Sequence, residues 1–379
     1  MKARLIHASS ETSADLFYAT RFFAPDPFLY LQEANAGKTH LLTSSLEIDR
    51  ARRCARVDHV HDWAGIRAHF KEFFPHRIVD EAVLIAHFLK QLGIHKVEVP
   101  FTFPLGLASR LKELRIDVEP LYEVFWPQRA IKTPEEIAHI ESALGMTARA
   151  MNHGIEMIRR ASIDSQDMLH LDGAPLTSER VRGEINAQLV REGAMPNHTI
   201  VTGGVQGADP HEKGHGPLSA HAPIILDVFP RVEATGYWGD MTRTVCRGQA
   251  PDRVRRAWEA VRQAQEVAFA LIRDGVDGRM VHDAVTQHLT DAGFATGPLP
   301  DGRQGGFFHG TGHGLGLEIH ETPRIGQKDQ FLVAGHVVTV EPGLYYPDMG
   351  GVRIEDVVVV ESNGCRNLTV QEKFLEILD

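Results

Sequence analysis

Apolar positions along the first 125 residues alternate between helical and strand-like spacing. From Asp62 to Phe74 and from Val79 to Leu92 they recur every three to four residues, predicting amphipathic helices, and His95 to Val99 predicts a short strand. After Trp126-Pro127-Gln128-Arg129 comes a helix-start signal. Thr133 stands as the cap, Pro134 at the first helical position, and Glu135 and Glu136 in the first turn, where the helix dipole favours acids. A domain boundary is placed there, giving 1–128 and 129–379. Beyond it the pattern repeats. Helices over about 134–159 and 177–192 precede strand-rich sequence from Thr199 to Arg247, and helices over about 251–273 and 277–292 precede strand-rich sequence from Gly306 to Val360. Helix, helix and antiparallel strands, twice over, predict an α+β fold with duplicated helix-plus-sheet halves, preceded by a smaller α/β domain. Ser362-Asn363-Gly364-Cys365 predicts a hairpin with a primed turn.

Within these strands stand carboxylates where apolar residues belong. Asp227 lies inside Pro223-Ile224-Ile225-Leu226-Asp227-Val228-Phe229, and Asp240 opens Gly239-Asp240-Met241-Thr242-Arg243-Thr244-Val245. A buried carboxylate without a counter-charge costs several kcal/mol, so a cation is implied. Pro230 and Thr235-Gly236 supply a turn between the two segments, which can pair as an antiparallel hairpin and bring both side chains to one face. The strand Val337–Val340 runs into Glu341-Pro342-Gly343. In Gly351-Val352-Arg353-Ile354-Glu355-Asp356, period-two alternation puts Arg353 and Glu355 on one face and turns Asp356 to the other. His313 sits among glycines that allow close backbone approach, with His309 and His320 on either side. Four carboxylates and an imidazole form a hard, oxygen-rich set suited to Mn²⁺, Co²⁺, Fe²⁺ or Zn²⁺.

Composition narrows the partners. The 379 residues are 43% apolar and 24% charged with a net charge of −10, so a nucleic-acid backbone is excluded as the expected partner. The N-terminal segment has no signal-peptide core, and no apolar run is long enough to span a membrane, so a soluble cytoplasmic protein is expected. The three cysteines, Cys54, Cys246 and Cys365, imply no disulfide framework and are read as buried packing residues.

Taken together, ILDVF…GDMTRT, HGTGHGLGLEIHE, TVEPGLYY and GVRIED resemble the pita-bread metallopeptidases, the family of methionine aminopeptidase, aminopeptidase P and prolidase. The GVRIED strand and a creatinase-like N-terminal domain point to the aminopeptidase P and prolidase branch. The resemblance implies that Asp227, Asp240, His313, Glu341 and Glu355 hold two divalent metal ions, with Asp240 and Glu355 bridging. It further implies that Glu341 takes the proton of the attacking water, and that His309, His320 and His211 contact substrate. Arg353 is read as orienting a ligand carboxylate, and Tyr345 as hydrogen-bonding near a ligand. The implied reaction is hydrolysis after an N-terminal residue that precedes proline, on a small peptide, by a homodimer. The alternative is a non-peptidase or binding member of the fold, of the creatinase kind. One departure stands out: Asp227 and Asp240 lie thirteen residues apart, two more than the family pattern, which preserves side-chain parity.

Two motifs mislead. His211-Glu212-Lys213-Gly214-His215 matches the zincin H-E-x-x-H, but that motif needs a helix, and Asp209-Pro210 and Gly214 predict a loop. The run Gly310 to Gly316 lacks the Lys-Ser/Thr and the strand-to-helix setting of a phosphate loop.

Overall fold

In the computed structural model, which describes residues 2–34 and 37–378, the first unit, Met1–Arg129, is built on a six-stranded mixed sheet. Its strands are β1 (Ala3–Ala8), β2 (Phe28–Gln32), β3 (Thr39–Thr43), β4 (His59–Asp62), β5 (Lys96–Pro100) and β6 (Asp117–Leu121), in the order β4-β3-β2-β1-β5-β6. Helices α1 (Ala14–Thr20) and α2 (Ile48–Cys54) cover one face; α3 (Trp63–Phe73), α4 (Glu81–Gln91) and α5 (Leu105–Glu113) cover the other. Alternation decides which side chain goes where. Ile6, Phe28, Tyr30 and Leu41 pack towards α1 and α2, while their neighbours Leu5, Leu29, Leu31 and Leu42 pack towards α4 and α5. The predicted helices start where aspartate caps them: Asp62 accepts from Ala64 N ahead of α3, and Asp80 from Val83 N ahead of α4.

The second unit, Ala130–Asp379, carries the repeated pattern. Helix α6 (Pro134–Arg160) opens on a full capping box, with Thr133 accepting from Glu136 N and the Glu136 carboxylate accepting from Thr133 N, an arrangement worth about 1 kcal/mol. Helix α6 and helix α7 (Ser178–Arg191) pack on a sheet containing Ile200–Gly203, Ile224–Val228 and Met241–Arg247. Met151, Ile155 and Ile185 meet Leu226, Val228 and Met241 there. Helices α8 (Asp252–Leu271) and α9 (Gly278–Asp291) pack on a second sheet, ordered Glu321–Ile325, Gly312–Gly314, Val337–Val340, Asp356–Glu361, Gly364–Asn367. There Val261, Ala264 and Val285 meet Val338, Val340 and Val358. All four helices begin and end within two residues of their predicted limits.

Three expectations need correction. The segment from Gly351 to Val360 is two strands, because the chain changes partner at Ile354 and Glu355. Gly350–Arg353 pairs with Gly343–Tyr346, and Asp356–Glu361 pairs with Val337–Val340. The C-terminal hairpin forms, but Glu361 pairs with Gly364, so Ser362-Asn363 is the loop, and none of these residues adopts the positive φ of a primed turn. Of the cysteines only Cys246 is buried; Cys365 is half-buried, and Cys54 is exposed at the end of α2, beyond the Ile48 and Ala51 positions that face the core. No helix among the described residues is long and apolar enough to cross a membrane.

Candidate active site

Leu226 and Val228 point at the helices of the first half, so Asp227 between them points away from that core. The antiparallel register sets Asp227 opposite Thr242, and Asp240, two residues before Thr242, takes the same face. The longer connection between the aspartates is absorbed outside the ladder, where Arg231–Val232 pairs with Ala194–Met195 and Gly236 turns with a positive φ. The second half repeats the logic. Val338 and Val340 face its helices, which leaves Thr339 and Glu341 on the opposite face. Glu355 is joined to the first half: its backbone N donates to Thr242 O at 3.0 Å, and its Oε2 accepts from the Thr242 hydroxyl at 2.8 Å. Asp356, one residue on, is buried the other way against Arg243 and Lys373, at 2.8 Å and 2.6 Å.

The side chains converge on a cavity of about 870 Å³ lined by Asp227, Asp240, His313, Glu341 and Glu355 together with His211, His309, His320 and Arg353. Ligand atoms of Asp240, His313 and Glu355 all lie within 4.8 Å of one another. His313 Nε2 is 3.7 Å from Asp240 Oδ2 and 3.6 Å from Glu341 Oε1. His313 Nδ1 lies 3.1 Å from Gly314 O; a carbonyl only accepts, so Nδ1 carries the proton and Nε2 presents its lone pair to the carboxylates. Glycine is required beside it, because a Cβ on Gly312 would overlap Thr339 O. Burial holds His313 down to about 3, so the imidazole is neutral at pH 7.

Electrostatics argue for cations. Burial, then the Asp227 and Glu341 charges, holds the Asp240 carboxyl well above the usual carboxylate range. Burial, then Asp240 and Glu341, does the same to Glu355. Glu341 is pushed up to about 7, by burial first, with the opposing guanidinium of Arg353 outweighed. Among the described residues Arg353 is the one basic side chain donating into this group: Nη2 to Asp227 Oδ2 at 2.7 Å, Nη1 to Tyr345 OH at 2.8 Å and Nε to Thr242 Oγ1 at 3.2 Å. Asp227 Oδ1 is buried without a hydrogen-bond partner among the described residues. Four carboxylates with a single guanidinium hydrogen-bonded among them, and one oxygen left unpaired among the described residues, suit divalent cations, whose charge would let all four ionise.

Around this centre His309 Nδ1 donates to Gly310 O at 2.8 Å and Nε2 accepts from Tyr345 OH at 3.0 Å, so His309 joins Asp227 through Tyr345 and Arg353. His320 sets its ring perpendicular to that of His313, centroids 4.4 Å apart. Between the two upstream histidines the geometry discriminates: His211 lines the cavity, while His215 is exposed and outside it, both in a loop rather than a helix. Three contributors went unrecognised in the sequence. Thr242 carries the hydrogen bond to Glu355, Thr339 accepts from His313 N at 3.0 Å, and Arg324 puts a guanidinium on the cavity wall. A strand whose inward positions read Asp-x-Thr was the available signal for Thr242.

Comparison with known proteins supplies the lineage. The model of metallopeptidase family M24 matches residues 138–362. The chain belongs to this family. An uncharacterized peptidase of Bacillus subtilis is 32% identical over 295 residues, 76% of each chain. A Xaa-Pro dipeptidase of Pyrococcus furiosus is 30% identical over 270 residues, 70% of each. Among solved structures, a Xaa-Pro dipeptidase from Bacillus anthracis superposes with a TM-score of 0.82 at 24% identity, covering 99% of this chain and 94% of that one. The fold is thus the pita-bread fold of this family, and the protein is a metallopeptidase.

Proposed function

We propose that the protein hydrolyses the bond between an N-terminal residue and a following proline, with dipeptides as its preferred substrates. The observation that carries the reading is the convergence of Asp240, His313 and Glu355 within 4.8 Å, beside the unpaired Oδ1 of Asp227. Asp227, Asp240, His313, Glu341 and Glu355 would hold two divalent ions. Such ions, when bound, act as Lewis acids that lower the pKa of water and polarise a peptide carbonyl. Glu341 is the proton acceptor in this reading: its side chain keeps 20% exposure against 5% for Asp240, so it is the carboxylate that meets solvent and substrate. His320 and His211, on the cavity wall, donate to the substrate carbonyl as it takes up charge. His309 and Tyr345 fix Arg353, and Arg353 fixes Asp227.

Substrate choice follows from the rest of the wall. Phe229, Phe308 and Ile319 offer apolar surface for a proline ring. Arg324 lines the same wall as His320, and it supplies a cation for the free carboxylate of a dipeptide. The Pyrococcus and Bacillus anthracis relatives named as Xaa-Pro dipeptidases support the same choice. Manganese, cobalt, iron or zinc as the metal, a cytoplasmic location and a homodimer belong to the proposal; metal analysis, cell fractionation and sedimentation test them in turn.

The decisive assay compares Ala-Pro, Ala-Pro-Ala and Ala-Ala after loading with Mn²⁺, Co²⁺, Fe²⁺ or Zn²⁺. Ala-Pro should be cleaved fastest, and Asp240→Ala or exhaustive chelation should abolish turnover. Cleavage of Ala-Ala in preference to Ala-Pro defeats the proline specificity; full activity in Asp240→Ala defeats the mechanism.

A further inference from the structure

The first unit holds a second concentration of metal-ligating side chains, in β3 and β4. The parallel register sets His40 beside His59 and Leu42 beside His61, so the three imidazoles share the face turned to α3 and α4. Their ring centroids lie 5.0 Å (His40–His59), 5.3 Å (His40–His61) and 6.2 Å (His59–His61) apart. His40 is buried and oriented at both nitrogens. Nε2 lies 2.8 Å from the Glu33 carboxylate, an acceptor only, so Nε2 carries the proton and Nδ1 is bare. His61 Nε2, 3.0 Å away, donates to that bare Nδ1, and an ion between the two nitrogens replaces this hydrogen bond once the His61 proton moves to its own Nδ1. Phe88 of α4 packs edge-on against both rings and fixes them, at centroid distances of 5.6 Å and 5.0 Å.

From this geometry we infer a divalent-cation site in the first unit, formed by His40 Nδ1 and His61 Nε2 with His59 as third imidazole, and of the zinc, nickel or copper class. A carboxylate–imidazole pair whose free nitrogen faces a second imidazole is the usual support of a histidine ligand. Two nitrogens bound to one zinc-sized ion stand about 3–3.4 Å apart, which the His40–His61 separation nearly meets without rearrangement. His59 shares that face at the exposed start of β4, its ring centroid 5.0 Å from that of His40, so an ion held by the pair would draw its imidazole in as the third ligand. An all-imidazole set differs from the oxygen-rich one in the second unit and selects softer ions. The ion would pin β4, an edge strand, onto β3.

The test uses untagged full-length protein carrying Asp240→Asn and Glu355→Gln to remove metal from the other centre, with Zn²⁺ titrated against a chromophoric chelator. One equivalent should remain, bound at least tenfold more weakly once His59→Ala and His61→Ala are added. Glu33→Gln should weaken it about 10–100-fold. In the otherwise unaltered enzyme, His59→Ala should leave Ala-Pro turnover unchanged. Substoichiometric Cu²⁺ added to the Asp240→Asn, Glu355→Gln protein should show electron paramagnetic coupling to several imidazole nitrogens, lost in His59→Ala, His61→Ala. No retained Zn²⁺, or retention indifferent to these histidines, overturns the site.

Discussion

Arg353 donates to one oxygen of Asp227 at 2.7 Å and leaves the other buried, without a partner among the described residues. The guanidinium thus fixes the orientation of the carboxylate and aims its free oxygen into the cavity. Arg353→Met strands a buried charge, at a cost of about 3–5 kcal/mol in the metal-free protein. Urea unfolding in chelator should register that loss, and saturating Mn²⁺ should recover part of it. Arg353→Lys keeps the charge without the three-way fork, so kcat should fall while stability is largely retained.

Glu355 and Asp356 are adjacent and opposite in consequence. Glu355→Gln should lose bound metal and activity, and raise the stability of the metal-free form, because one of several repelling buried carboxylates is removed. Asp356→Asn should leave metal content unchanged yet destabilise by about 3–5 kcal/mol, since Arg243 and Lys373 lose their buried partner. Metal analysis and thermal melts on the two variants separate these outcomes.

Arg324 predicts a kinetic split. Arg324→Gln should raise KM for Ala-Pro about tenfold or more, the effect of losing one charge-assisted hydrogen bond, with kcat little altered. Ala-Pro amide and Ala-Pro-Ala should respond far less. An equal response to all three substrates would remove Arg324 from carboxylate recognition.

His336 predicts a pH effect on stability away from the metal centre. Its Nδ1 accepts from Val333 N at 3.0 Å, and burial, then Lys132, holds it down to about 4, against 6.5 when unfolded. The folded state therefore resists a proton that the unfolded chain accepts. This contribution is complete above pH 6.5 and declines as the pH falls towards 4. Melting temperatures between pH 7 and 4.5 should drop more steeply for the wild type than for His336→Gln. Parallel curves would show that His336 does not titrate in this window.

Much of the centre was legible in the chain because its residues break strong local patterns. Asp227 interrupts Ile224–Val228, and period two alone separates Glu355 from Asp356. The helices were legible from sustained apolar stripes and, for α6, from the Thr133 cap; the caps Asp80 and Thr177 emerge only in the structure. What escaped depends on pairings that no local window contains. The break at Ile354 arises because successive residues find partners in different sheets, and Arg243 is buried because Asp356 and three backbone carbonyls from distant segments surround it. The histidines of β3 and β4 stood unremarked for the same reason: only the register makes His40 and His59 neighbours. Ser362-Asn363 takes the loop because strand pairing ends at Glu361 and Gly364, which overrides the Asn-Gly preference.

The bridge from Thr242 to Glu355 makes each half of the second unit an incomplete container. One half brings two aspartates; the other brings the histidine and two glutamates. Neither half can drift, slip a strand by one residue or be expressed alone without emptying the vessel they share. Occupancy by metal is therefore a report on the integrity of the whole duplicated unit, and a chain cut between Arg247 and Asp252 should bind ions only when its two fragments are mixed.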